Sequence, residues 1–236
     1  MSILTSIKHA LVMASQRFTE RLKEAVSDVW DKILNHPFVT ELFDGSLPMG
    51  KFRFYVIQDY NYLITLTRCQ AIIASKFEDP AIMRKILELA LADVSTELEN
   101  YNKLLGELGL SLNDVIRVRP SPTNMAYMNF LLSTCTMGSP YEGLVAILPC
   151  YWTYLEIARY HAKKLEGNPV RVYRDWALVY LSPEYEKIVG DLRAIIDNAG
   201  DYLARDFDRL SGIFRQASVY EYMFWDMAFR QEQWIL

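Results

Sequence analysis

The sequence predicts an all-α protein, and three observations carry that prediction. Apolar residues recur at spacings of three and four along nearly the whole chain, as a helix burying one face requires. The period-two alternation of a half-buried strand is almost absent. Three Ser-Pro pairs, at 121, 139 and 182, set a capping hydroxyl before a proline suited to the first helical turn.

Taken in order, residues 3–34 read as one or two helices, with Val26, Val29, Trp30, Ile33 and Leu34 on one stripe. His36-Pro37 stops this segment, because the residue before proline avoids the α region. A short turn-like piece, PFVTELFDG, follows. The next helix starts after Ser46 and runs to about Phe77. Its stripe is Phe52, Tyr55, Asp59, Tyr62, Leu66, Cys69 and Ile73. A third runs from Asp79-Pro80 to about Leu108, with Glu88, Asp93, Glu97 and Glu99 read as its solvent face. Helices then follow from Ser121 to Gly138, 140–165, 170–180 and 183–198. The last, 201–234, is expected to break near Ala217. Ser139 and Glu142 form a capping box at the head of the 140–165 helix. No repeat or linker divides the 236 residues, so one domain over 1–236 is the expectation.

Composition narrows the function. Hydrophobic residues make up 51% of the chain and aromatics 13%, enough for a sizeable core, which argues against disorder. The net charge is −4 without a Lys/Arg run, so nucleic acid is not an expected partner. No apolar run reaches the roughly 18 residues of a membrane span, and the N-terminus lacks a signal-peptide pattern. Three cysteines without a CxxC spacing suit reduced thiols and a cytoplasmic location rather than a disulfide frame or zinc site.

Three residues interrupt apolar faces. Cys150 follows Pro149 inside the helix 140–165, where proline removes one backbone hydrogen bond. It reads either as a packed thiol or as a nucleophile whose base must come from another helix. Asp59 sits mid-stripe among tyrosines, either bridged to another helix or facing a pocket that reads a flat, nitrogen-rich ring. Glu221 lies among Phe214, Phe224 and Trp225, where desolvation would raise its pKa into a useful range. Ser218-x-x-Glu221 equally fits a capping box. Cys69 and Cys135 read as core. Histidines are few (His9, His36, His161), and Glu156 and His161 are off register for a di-iron site.

The stretches HPFVTELFDGSLP, FRFYVIQDYNYL, RPSPTNMAYMNFL, ILPCYWTYLEIA and VYEYMFWDMAFRQEQW together resemble the TenA/thiaminase II family. The resemblance does not need residues 1–27, which read as an N-terminal extension helix. It implies a haem-oxygenase-like multi-helix bundle, assembled as a homotetramer, with no metal and no cofactor. It also implies hydrolysis of an aminopyrimidine, either thiamin or an aminomethylpyrimidine, to hydroxymethylpyrimidine in thiamin salvage. By the same resemblance Cys150 adds to the ring and Glu221 is the acid/base. Asp59 hydrogen-bonds the aminopyrimidine, and Tyr62, Tyr127, Tyr154, Tyr180 and Phe224 surround it. Two other readings stay open: a non-catalytic pyrimidine-binding or regulatory protein, and a haem-oxygenase-like cofactor oxidase.

Overall fold

Helix signals this dense leave the packing order as the open question, and a computed structural model answers it for residues 16–235. Every regular element among the described residues is helical. In chain order they are α1 (Phe18–Glu24), α2 (Ser27–Leu34), α3 (Pro37–Asp44), α4 (Met49–Ser75) and α5 (Pro80–Ala92). A π-helical turn (Asp93–Glu97) leads into α6 (Leu98–Glu107) and the short α7 (Leu112–Val115). Then come α8 (Pro122–Met137), α9 (Pro140–Leu165), α10 (Arg171–Val179) and α11 (Pro183–Asn198). The short α12 (Gly200–Leu203), a 3₁₀ turn (Ala204–Asp206) and α13 (Phe207–Arg230) complete the chain.

Helix α9 is the axis of the bundle. It packs most extensively on α13 and also meets α11, α8, α3, α4 and α2. Every residue from Glu142 to Leu155 is buried, so this helix is enclosed on all sides rather than amphipathic. The Ser139/Glu142 capping box starts it, and it runs through Pro149 without interruption. At Gly143 an added Cβ would lie 2.6 Å from Ile73 Cγ1, so the missing side chain lets α4 approach α9 closely. That approach sets the face of α4 carrying Asp59 against the face of α9 carrying Cys150.

Three local expectations are corrected. The stretch after His36 is a helix, α3, not a turn. His36 is its cap: the ring Nδ1 accepts the Phe38 N–H at 3.1 Å, and Pro37 takes the first helical position. Helix 80–107 is broken by the π turn at 93–97. The break in the last segment falls at 204–206, not near Ala217, which lies buried in mid-helix. Ser218 is therefore no cap; its Oγ accepts the Trp30 indole N–H at 3.1 Å.

Helix α1 lies within the stretch read as an extension. Its Thr19 donates through backbone and hydroxyl to Asp197, and Phe18 and Leu22 are buried. Residues 1–15 lie outside the described residues.

One turn is tightly specified. Gly45 ends α3 at φ +86°, and an added Cβ would meet Asn168 Oδ1 at 2.7 Å. Asn168 in turn donates to the Leu42 and Phe43 carbonyls, tying α3 to the end of α9. Gly45→Ala is expected to lose at least about 1–2 kcal/mol, the cost of the left-handed backbone alone. Urea unfolding of the variant checks this; an unchanged midpoint would contradict it.

Candidate active site

The first functional geometry to build is the face of α4. Tyr55, Asp59 and Tyr62 follow one another at helical spacing and line a cavity of about 270 Å³. Cys150, Tyr151 and Tyr154 of α9 form the facing wall. Tyr180, just past α10, and Tyr185 of α11 contribute further aromatic edges. The Tyr154 and Tyr180 rings are 4.9 Å apart, and the Tyr55 and Tyr154 hydroxyls are 3.2 Å apart. A planar ring entering here would meet aromatic faces and the half-buried carboxylate of Asp59.

Cys150 is 9% exposed, enough to touch a molecule in the cavity. Burial pushes its thiol well up from the ordinary range, and the charges of Glu221, Asp59 and Asp93 act in the same direction. The Tyr62 hydroxyl facing it works the other way. No Lys, Arg or His lines the cavity among the described residues. The resting group is therefore a thiol, and it needs a base to become a nucleophile.

A buried carboxyl on another helix is the candidate base. Glu221 of α13 is fully enclosed, and burial raises its carboxyl to about 7. One donor steadies it: the Tyr127 hydroxyl, from α8, at 2.6 Å from Oε1. Tyr127 lies 5.0 Å from the Tyr62 ring, and Phe224 lies 5.6 Å from it. Glu221, Tyr127 and Phe224 thus stand behind Tyr62 and do not form the cavity wall. Of the eight residues singled out, the cavity wall holds Cys150, Asp59, Tyr62, Tyr154 and Tyr180.

Sequence reasoning missed Asp93. It was read as part of a solvent face, yet it lines the cavity and lies half-buried. Gln70 Nε2 donates to its Oδ2 at 2.7 Å, and the Tyr151 hydroxyl donates to the same oxygen at 3.0 Å. Gln70 also donates to the Tyr151 oxygen, which closes a three-residue network. The signal was available: Ile86, Leu89 and Ala90 form the buried stripe of α5, and Asp93 is the next position on it. Gln70, fully buried on α4, was also missed.

The described histidines are occupied elsewhere. His36 caps α3, and burial lowers it to about 4; His161 Nε2 meets the Leu34 carbonyl at 2.7 Å. Neither lines the cavity, and His9 lies outside the described residues. Among the described residues no group of three or more His, Cys, Asp or Glu is arranged to hold a metal.

Comparison with known proteins finds relatives of this chain. A curated relative from Halalkalibacterium halodurans, named aminopyrimidine aminohydrolase, is 32% identical over 92% of this chain and 97% of its own. The solved TenA homologue protein from P. horikoshii OT3 is 49% identical. It superimposes with a TM-score of 0.88 over 91% of this chain and 99% of its own. A Shewanella denitrificans domain with a heme oxygenase-like fold is 17% identical; its TM-score of 0.71, over 90% of this chain and 92% of its own, shows the shared fold. The family model described as TENA/THI-4/PQQC matches residues 23–231, and the chain belongs to that family.

Proposed function

We propose that this chain is an aminopyrimidine aminohydrolase of the thiaminase II type. Its substrate is a 4-amino-5-methylenepyrimidine carrying an amine or thiazolium leaving group. The observation that carries the reading is a cavity-facing thiol, Cys150, acted on by a buried carboxyl near neutrality, Glu221. The names of the curated relatives support it.

In this reading Asp59 accepts hydrogen bonds from the aminopyrimidine, and Tyr154 and Tyr180 flank the ring. Glu221 takes the Cys150 proton, and the thiolate adds to a ring carbon. The added electron density expels the leaving group from the methylene carbon. Water adds there, giving one proton up as its hydroxyl forms. Expulsion of the thiolate then restores the aromatic ring, Glu221 returns its proton to the sulfur, and the proton lost by water passes to the departed amine or to solvent. Tyr127 holds the Glu221 carboxyl in place and Tyr62 steadies the sulfur, while Phe224 backs the ring of Tyr62.

The test is release of hydroxymethylpyrimidine from thiamin and from the aminomethylpyrimidine, with kcat/KM measured side by side. Tight binding of the ring without release from either compound would instead favour the non-catalytic binding protein.

We further propose a homotetramer working in the cytoplasm as one domain. No helix among the described residues is long and apolar enough to cross a membrane. Leu87, Leu91 and Val94 form an exposed apolar stripe, with Leu91 64% exposed, of the kind that subunit contact covers. Light scattering after gel filtration should give about four times the 27.4 kDa chain mass; a monomer would overturn the assembly.

A further inference from the structure

The cavity has a charge pattern that ring binding does not use. Its ionisable carboxylates are Asp59, Asp93 and Glu184, and no Lys, Arg or His lines it among the described residues. Asp93 differs from Asp59 in how it is held. It stands at the head of a π turn, a backbone form common at functional sites. Both of its hydrogen bonds end on Oδ2, so Oδ1 takes part in neither. One donor is Tyr151, the residue directly after Cys150, which ties the carboxylate to the nucleophile's own turn. Asp59, Asp93 and Cys150 all line the same cavity.

We propose that Asp93 is the receptor for the leaving group: its carboxylate binds the positive charge carried on the 5-methylene substituent while Asp59 holds the ring. This rests on the hydrolase reading above and specifies which part of the substrate each acid recognises. It makes Asp93 a specificity-determining residue for cationic substituents, ammonium or thiazolium. A neutral product, with a hydroxyl in that place, loses the contact and is free to leave. Burial raises the Asp93 carboxyl to about 6, and a bound cation is the partner that would favour its ionised form.

The test is calorimetric binding in the Cys150→Ala background, which blocks turnover. The ligands are the 5-aminomethyl pyrimidine, a cation at pH 7.5, and its neutral 5-hydroxymethyl counterpart. Adding Asp93→Asn should weaken the cation at least about tenfold, the scale of one hydrogen bond to a charged group. Affinity for the neutral ligand should stay within about twofold. Equal weakening of both ligands marks a merely structural residue and overturns the proposal, as does no change in either. Should Asp93→Asn not fold, the Cys150→Ala protein alone decides: it must prefer the cation, and equal affinity overturns the proposal. Failure of both ligands to bind at all overturns the hydrolase reading instead, and this assignment with it.

Discussion

Cys150→Ala is expected to lose on the order of 10⁴-fold or more in kcat with both thiamin and the aminomethylpyrimidine, because the covalent path has no other nucleophile. The fold should survive. The side chain faces a cavity rather than packed neighbours on that side, so the deletion enlarges existing space instead of opening a void in the core. Cys150→Ser should be almost as inactive, since a serine hydroxyl is far harder to ionise than a thiol beside the same carboxylate. Circular dichroism and the melting temperature check the fold, and a discontinuous assay for the released pyrimidine checks the chemistry. Activity within tenfold of the parent would remove the cysteine from the mechanism. Cys69 and Cys135 serve as internal controls: both are buried away from the cavity, and neither should matter for turnover.

Glu221→Gln is the second large effect, and it has two readouts. Turnover should fall by about 10²–10⁴-fold, the usual worth of a positioned acid/base, and the pH limb near 7 should disappear. Stability should change in the opposite sense. The folded carboxyl titrates near 7, against 4.5 for an exposed one. Between those values the folded state keeps a proton that the unfolded chain has lost. The contribution is thus fully present below 4.5 and is lost as pH rises through 7, by on the order of 3 kcal/mol. Glutamine never ionises and still offers Oε1 to the Tyr127 hydroxyl. The variant's melting temperature, relative to the parent, should therefore climb from pH 5 to pH 8. Asp93 has the same sign of shift but is present in both proteins, so it cancels in the difference. A difference that does not vary with pH would mean that Glu221 is not held in its protonated form.

Much of this site was legible as interruptions in helical periodicity. Asp59 stands where its stripe calls for an apolar residue, and Cys150 follows a proline where helices resist one. The family resemblance then assigned their roles. Asp93 carries the same kind of signal as Asp59, yet the neighbouring Glu88, Glu97 and Glu99 masked it as one more surface charge. Glu221 could not be separated from a capping box, because local spacing does not reveal whether a helix continues through Ala217. Only packing decides that, through the Trp30 indole bonded to Ser218. The Tyr127–Glu221 bond joins residues 94 apart in sequence, and no local pattern encodes such a pair. The helix after His36 was missed for a simpler reason. His-Pro was read as a stop, when the same dipeptide also makes a cap and a first turn.

The π turn at Asp93–Glu97 constrains chain length as well as side-chain identity. Such a turn holds one residue more than an α-helix would use there. Deleting one of the residues 94–97 would let the turn close as ordinary α-helix with α6 still in register, whereas inserting one more residue there would rotate all of α6 by about 100°. Tyr101, whose hydroxyl donates to the Val56 carbonyl at 2.7 Å, would swing off α4. An insertion between Asp93 and Tyr101 should accordingly be tolerated far less well than a one-residue deletion within the π turn.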